Sequence, residues 1–500
     1  MTRENLGKWL RDRDVLLIVF LLIVRMIVFG MGPGIINGDG FLYVHAAQHI
    51  AQTGALPPAG FQSRSYSLVM APILMLLGHD GVWVPLPDGV RQYYHPIGVA
   101  VHWFQLLLDL GVVVALLRYC FDLRGRSQWA FRIAYIVVAL QPITASWTNF
   151  MVPDTLAMAS FFVGLFYLAR GPFDFSRANL AIGALLLGIS GFVRIDVAAL
   201  ALAVLGSWIL IAWWRGPRDR RLVATVAGVL ALFAVPSVAM AGYQYASTGT
   251  PNYIQTAAGD NPTVAMRGYF SWTRTWLLSL SEFQTFILSA PGSKNWVGFA
   301  AARYPARALP TATDRTTLQA ALDHWAASGY DPATDRAFLD LAARQKSSRP
   351  LTAYAVAPLV RTASLWLNTD GASAVTWGLH LRPPLSWIAV ALATLLKAAI
   401  GLLAAIGAAS ALRRIARAPD RGAAAFDYPT SLALLSILAL ALRFCEMLAL
   451  NVIIGGAVME SRYVVEVWPC LIALALYGYA RLGAWRAQTA RPAVAAVDTL

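Results

Sequence analysis

Charge is scarce in this sequence. Asp, Glu, Lys and Arg make up 13% of its 500 residues, against 58% hydrophobic, where a soluble domain carries about a quarter of its residues as charges. That shortage excludes a soluble globular protein, and the apolar residues fall into runs of the length a bilayer requires. Cysteine is almost missing as well. Cys120, Cys445 and Cys470 lie in or beside apolar segments without CxxC spacing, which argues against both a disulfide framework and a thiolate metal site. Neither a GxGxxG nor a Walker motif stands in a strand–helix context, so no nucleotide-binding domain is indicated. No Ala-x-Ala site follows the basic start and first apolar run, only Met31-Gly32-Pro33-Gly34. The run therefore reads as an uncleaved anchor and not as a signal peptide.

What is present is apolar sequence interrupted by arginine. The mean hydropathy is +0.57, and the runs divide into ten spans, roughly 15–31, 97–117, 131–147, 154–169, 179–193, 197–214, 222–241, 384–411, 430–452 and 463–480. Basic residues mark every second connection. Arg3, Lys8, Arg11 and Arg13 precede the first span, Arg118, Arg124, Arg126 and Arg132 follow the second, and Arg170 and Arg177 follow the fourth. Arg215, Arg218, Arg220 and Arg221 follow the sixth, Arg413, Arg414, Arg417 and Arg421 the eighth, and Arg481, Arg486 and Arg491 the last. This is the positive-inside pattern with both termini cytoplasmic. The formal charge of +14 is thus a topological signal and not a nucleic-acid surface. The Ala- and Arg-rich composition is that of a bacterium with high genomic GC content, which makes the inner membrane the expected location and the periplasm the outer side.

The expected fold is an all-α polytopic membrane protein of about ten transmembrane helices with a mostly helical periplasmic loop domain. Residues 1–241 form an N-terminal transmembrane module whose first outer loop is 32–96, 242–383 the loop domain, 384–482 the C-terminal transmembrane helices, and 483–500 a cytoplasmic tail. Leu351–Leu367 is apolar enough to pass for a span, but counting it would move the Arg413–Arg421 cluster outside. It reads as a helix lying in the membrane interface. Two earlier helices look soluble, Thr313–Ala327 and Thr334–Gln345, the second with Thr334 as its N-cap. Tyr243, Tyr245, Tyr253, Tyr269, Phe270, Trp272 and Trp276 crowd the start of the loop domain, and the expectation for them is an interfacial aromatic belt.

Four short connections bring charges to the outer side. Asp39 and Tyr43 lie in Asn37-Gly-Asp39-Gly-Phe-Leu-Tyr43 just after the first span, and Asp154 opens the fourth. Arg194 and Asp196 sit at the turn between the fifth and sixth spans, while Glu460, Arg462 and Tyr463 enter the last. Any one of them alone is more simply an interfacial cap or a salt bridge; the collection is what points to a site. Deeper charges cost ~2.5–3.5 kcal/mol each at mid-bilayer. Among them Arg443 and Glu446, three apart on one helix face, are expected to compensate each other. Asp109 reads as structural or gating, Lys397 as snorkelling, and Arg25 as facing the outer half, within reach of a lipid phosphate. His45 and His49 have the i,i+4 spacing of a helical metal pair, yet the glutamate of HExxH is absent between them. A divalent metal there, with Asp39 as an oxygen ligand, is the one cofactor these residues admit. Polar helix residues at a membrane surface are the plainer reading.

In this order the residues resemble the GT-C superfamily of polyprenyl-phosphate-sugar glycosyltransferases, in the branch of protein O-mannosyltransferases and lipid A aminoarabinose transferases. The first outer loop with Asp39 leads to Gln62-Ser-Arg64-Ser-Tyr66-Ser-Leu-Val-Met-Ala-Pro72, similar to that family's Arg-x-x-Gly-Tyr-Pro-Leu segment. Val152-Pro-Asp154, Gly191-Phe-Val-Arg194 and a large late outer domain follow, and Glu460-Ser-Arg462-Tyr463-Val-Val-Glu-Val-Trp-Pro469 looks like the Glu-x-Arg-Tyr…Pro ending. Two departures stand out. The family often carries Asp-Glu in the first loop, where here Asp39 precedes Gly40, and its fourth-span acid is often Glu, here Asp154.

The resemblance implies transfer of a sugar from a polyprenyl-phosphate donor to an envelope lipid, polysaccharide or protein, by inverting single displacement and without a required cofactor. It makes Asp39 the general base and Asp154 a second catalytic acid that shapes the acceptor side or assists the base. Arg64, Arg194 and Arg462 become candidates to clamp the phosphate, a role suited to a guanidinium fork, and Tyr43, Glu460 and Tyr463 substrate-binding residues. The competing reading is a secondary transporter or lipid flippase, for which the intramembrane charges would line a path. A catalytically dead lipid-binding scaffold is a third, raised by the missing Glu after Asp39.

Overall fold

The computed structural model describes residues 13–31, 39–55, 64–77, 82–85, 91–94, 96–123, 128–145, 147–174, 176–215, 220–249, 266–288, 296–367, 382–417, 427–454 and 461–489. The described chain is mostly helical. Helices α1 (Arg13–Gly30), α2 (Asp39–Thr53) and α3 (Arg64–Leu77) come first. The first outer segment also holds one antiparallel strand pair, β1 (Val82–Pro85) with β2 (Arg91–Tyr94), in the register Val82↔Tyr94, which hydropathy gave no cause to expect. Then follow α4 (Pro96–Leu123), α5 (Gln128–Leu140), α6 (Asp154–Asp174), α7 (Arg177–Val193), α8 (Ile195–Arg215) and α9 (Arg220–Thr248). An inserted unit contains α10 (Arg267–Trp276), α11 (Ala312–Ser328), α12 (Pro332–Ser348) and α13 (Ala357–Leu367). The chain returns through α14 (Leu385–Ala416), α15 (Tyr428–Ala449), a 3₁₀ turn (Ser461–Val467) and α16 (Trp468–Thr489).

Five helices are long and apolar enough to cross a membrane, within Ile97–Leu123, Arg220–Ala246, Leu385–Ala416, Tyr428–Val452 and Tyr463–Gly483. That makes this a membrane protein. The stretches of the other five expected spans hold helices α1, α5, α6, α7 and α8, which fall short of that standard by length or composition. The third span ends earlier than its hydropathy implies, at Leu140 instead of 147. Pro142 bars Gln141 from helical geometry, and the Gln141 side chain accepts the Ile143 and Thr144 backbone N–H groups at 2.7 and 3.2 Å, fixing a turn.

Burial sorts the helices by position. α6 is buried on nearly every side, from Asp154 to Phe162 without interruption, as an all-apolar helix at the centre of a bundle must be. α9 and α14 show Val235, Val238, Leu392, Leu395 and Leu402 to the surroundings, side chains that only lipid would cover. Without a hydrophobic drive between helices in lipid, close contact falls to small residues. Gly164 faces Gly183 across α6–α7, and Gly407 faces Gly478 across α14–α16. A Cβ at Gly407 would collide with the carbonyl oxygen of Leu474, and backbone cannot step aside as a side chain can. Gly407→Ala is therefore expected to lower stability by about 1–3 kcal/mol, the range for overpacking, while Gly401→Ala, which meets nothing within 4 Å, leaves the melting temperature in detergent unchanged.

The inserted unit has its own core, and it corrects the expected aromatic belt. Tyr269, Phe270, Trp272 and Trp276 are buried in it. Trp272 packs at ring-centroid distances of 5.1 Å from Tyr304 and 5.4 Å from Phe338, and Tyr269 at 5.3 Å from Trp325. Their 269, 272, 276 spacing places them on one face of α10, so they pack inward. Tyr243 instead reaches from α9 to the Gly54 carbonyl at 2.5 Å, Tyr245 is exposed, and Tyr253 lies outside the described residues. The second soluble-looking helix starts earlier than expected. Its N-cap is Asp331, whose side chain accepts the Thr334 N–H at 2.8 Å, with Pro332 ready at the first helical position; Thr334 is inside the helix. The first begins at Ala312 behind an N-cap Thr311.

Candidate functional site: a buried charge network

Four chain segments far apart in sequence meet at one cluster. Asp154 arrives on the first turn of α6, where an acid is favoured by the helix dipole. Arg194 is the break between α7 and α8, with extended φ −135° and ψ 118°. It takes no helical conformation itself, yet its carbonyl starts α8 by accepting Val197 and Ala198 N–H at 3.1 and 3.2 Å. That kink turns its side chain inward, where it is only 8% exposed. Arg443 and Glu446 come from α15, and Tyr463 and Glu466 from the 3₁₀ turn ahead of α16.

The guanidinium of Arg194 is held on every edge. Its Nε and Nη2 form a fork on Asp196, 3.0 Å to Oδ1 and 2.7 Å to Oδ2. Its Nη1 pairs with Asp154 and lies 2.9 Å from Glu466 Oε1. Its face rests 5.4 Å above the Tyr463 ring, a cation–π arrangement. Arg443, fully buried, donates from Nε to the Tyr463 carbonyl at 2.7 Å and from Nη1 to Glu446 at 2.8 Å. Its Nη2 reaches Asp196 at 2.8 Å and Glu466 at 3.3 Å. Arg443 and Glu446 pair as expected, and Arg443 serves two further acids, Asp196 and Glu466, because two guanidiniums face four carboxylates at this point.

Beside this network lie α2 and α3. Tyr43 is buried and meets Tyr66 edge-on at 5.2 Å. Ser67 donates to the Tyr43 carbonyl at 3.1 Å and Ser65 to the Val193 carbonyl at 3.5 Å, which brings this pair of helices against the residue preceding Arg194. Gln105 bridges Tyr66 Oη at 2.5 Å and the Val152 carbonyl at 2.9 Å, two residues before Asp154. An apolar groove of about 450 Å³ opens alongside, with Val69, Leu156, Ile189, Val193, Met240 and Tyr243 in its wall. Charge and groove thus share α6 and the end of α7.

The structure therefore brings Asp154, Arg194 and Tyr463 into contact and puts Tyr43 on the adjoining helix pair. Asp39 opens α2, one turn ahead of Tyr43, and Arg64 opens α3, but both side chains lie outside the described residues, as do Glu460 and the Arg462 side chain. Glu466 is the residue the sequence argument passed over. Its signal was its place: an acid inside the Tyr463–Pro469 run, at the mouth of an apolar helix, where an unpaired carboxylate would be costly.

The deeper charges are structural. Arg25 does not face lipid. It is fully buried, with Nε on Asp109 at 2.8 Å, Nη1 on the Ala139 and Gln141 carbonyls at 2.8 Å each, and Nη2 on Thr144 at 3.0 Å and Asp109 at 2.6 Å. Four of its donors make hydrogen bonds, and Asp109 has Arg25 as its buried counter-ion. Lys397 stands 5.1 Å over the Trp468 ring. No group of three His, Cys, Asp or Glu able to hold a metal occurs among the described residues, and His45 is exposed on α2. No family model matches the chain, and no characterised protein matches it by sequence.

Proposed function

We propose that this chain is an integral-membrane glycosyltransferase, of about ten spans and GT-C-like fold. It moves a sugar from a polyprenyl-phosphate donor to an envelope lipid, polysaccharide or protein on the periplasmic face of a bacterial inner membrane. One observation carries the reading. A network of Asp154, Arg194, Asp196, Arg443, Tyr463 and Glu466, drawn from four distant segments, lies against the helix pair opened by Asp39 and Arg64 and beside an apolar groove. A lipid with a charged head needs such a juxtaposition; a soluble substrate does not.

In this reading the polyprenyl tail occupies the groove. Asp39 takes the proton of an acceptor hydroxyl as that oxygen attacks the anomeric carbon from the face opposite the phosphate. The bond from that carbon to the phosphate oxygen breaks, and its electron pair leaves with polyprenyl phosphate. Arg64 and Arg462 neutralise the departing phosphate. Arg194 was expected to share that work; in the structure it donates to Asp154 and Asp196 and is ion-paired with Glu466. Its role is to fix Asp154 and the α7–α8 break, with Tyr43, Tyr463 and Glu460 bounding the sugar.

Transfer by the purified protein tests this. With polyprenyl-phosphate sugars of varied headgroup and extracted envelope acceptors, release of free polyprenyl phosphate in step with acceptor modification is the expected result. Lipid bound and moved across a proteoliposome bilayer without release would mean a flippase instead.

A further inference from the structure

Three buried polar atoms around the start of α6 have nothing to bond. Gln105 Oε1 on α4, Asn149 Oδ1 in the turn before α6 and Thr155 Oγ1 on its first helical turn lack a hydrogen-bond partner among the described residues. The three residues are 0%, 6% and 1% exposed. Buried polar groups are nearly always bonded, and one left orphaned bears the full cost of its lost hydration. A single turn of chain gathers the three. His102 and Gln105 share a face of α4 by their spacing, and that face grips the turn twice. His102 Nδ1 lies 2.9 Å from the Thr148 carbonyl oxygen, and Gln105 Nε2 donates to the Val152 carbonyl at 2.9 Å. Asn149 lies between the two grips, and Thr155 follows the second by three residues.

The orientation of the Gln105 amide is fixed by its partners. A carbonyl only accepts, so the Val152 oxygen takes the amide nitrogen, which also donates to Tyr66 Oη at 2.5 Å. Oε1 is left as an acceptor without a donor. Asn149 Oδ1 needs a donor too, while the Thr155 hydroxyl can give or accept. A phosphodiester offers only acceptors and cannot serve the two amide oxygens. A metal cation is poorly served in turn, since all three oxygens are neutral and Asp154 is committed to Arg194. Hydroxyl groups, donors and acceptors at once, meet all three. The apolar groove passes alongside: Leu68, Val69 and Leu156, neighbours in the chain of Tyr66 and Thr155, stand in its wall. Hydroxyls on the head of a lipid whose chain fills that groove would arrive at these atoms.

We infer that Gln105, Asn149 and Thr155 receive hydroxyl groups of the sugar carried by the polyprenyl-phosphate donor, in a subsite separate from that of its phosphate. The inference rests on the glycosyltransferase reading above and adds the residues that choose among sugars. A site built to bond a hydroxyl rejects a ligand without it, because its own buried groups then stay unpaired.

The test is binding to full-length protein in detergent, comparing decaprenyl phosphate with decaprenyl-phosphate glucose, mannose and galactose. Wild type is expected to bind at least one sugar lipid more tightly than the bare lipid phosphate. Thr155→Val, close in volume, should weaken that sugar lipid by about 5–100-fold and leave decaprenyl phosphate unchanged. It should melt no lower than wild type, because Thr155 Oγ1 bonds to nothing in the protein. Asn149→Leu should act in the same direction; if it does not fold, Thr155→Val decides alone. A sugar preference kept in the variants, or absent from wild type while decaprenyl phosphate binds, overturns the subsite and leaves trapped water as what these atoms hold. Failure of the underlying reading looks different: neither decaprenyl phosphate nor any sugar lipid binds wild type, and the subsite falls with it.

Discussion

Replacing Arg443 by methionine is expected to destabilise the protein by about 3–5 kcal/mol, the cost of breaking a buried ion pair from one side. The size follows from what is left behind. Methionine fills much of the volume, so packing is a minor loss. Glu466, fully buried, then keeps only Arg194 at 2.9 Å, and Asp196 loses its 2.8 Å partner. The Tyr463 carbonyl loses its 2.7 Å donor. Since the uncompensated acids dominate, removing one should repair the damage. Arg443→Met with Glu466→Gln is expected to melt higher in detergent than Arg443→Met alone, although it carries one more substitution. Arg443→Lys should fall between, as it keeps the charge but not a fork able to reach Glu446, Asp196 and Tyr463 together. A double variant no better than the single would mean that the network is held by its hydrogen bonds and not by charge balance.

The same network marks how far sequence reasoning reaches. Asp154, Arg194 and Asp196 were legible because each interrupts an apolar run at an alternate connection, where the expected topology puts it on one membrane face. Arg25 and Asp109 were each conspicuous, but their pairing across 84 residues depends on how α1 and α4 lie together, which hydropathy does not encode. Glu466 was hidden because it occupies a stretch otherwise read as the entry of a span. The aromatics of α10 were misjudged for a different reason. Tyr and Trp suit a membrane interface and a soluble core equally well, and only the packing of α11 and α12 against them distinguishes the two. Helix ends were legible where a residue has one local solution, as at α11, expected from Thr313 and found from Ala312 behind its Thr311 cap. Where the side chain's choice was tertiary, they were not.

Asp39→Asn is expected to lower sugar transfer by about 10²–10⁴-fold, the contribution of a positioned general base, or roughly 3–5.5 kcal/mol of barrier. The change is nearly isosteric, so a loss of activity is informative only if the fold survives. It should survive. Asp39 is the first residue of α2, and exchanging an acid for an amide in a first turn costs about 0.3–1 kcal/mol of helix-dipole interaction, too little to unfold the bundle. Donor binding should be untouched, because in the proposed reaction the carboxylate acts on the acceptor proton; the loss belongs in kcat and not in KM for the donor. Asp154→Asn offers the contrast. Asp154 is locked to Arg194, so its substitution should lower the melting temperature as well as the rate, while Asp39→Asn lowers the rate alone. A well-folded Asp39→Asn protein with full transfer would falsify the assignment of the base. Transfer lost together with stability in both variants would instead make the first outer helix a structural partner of the charge network.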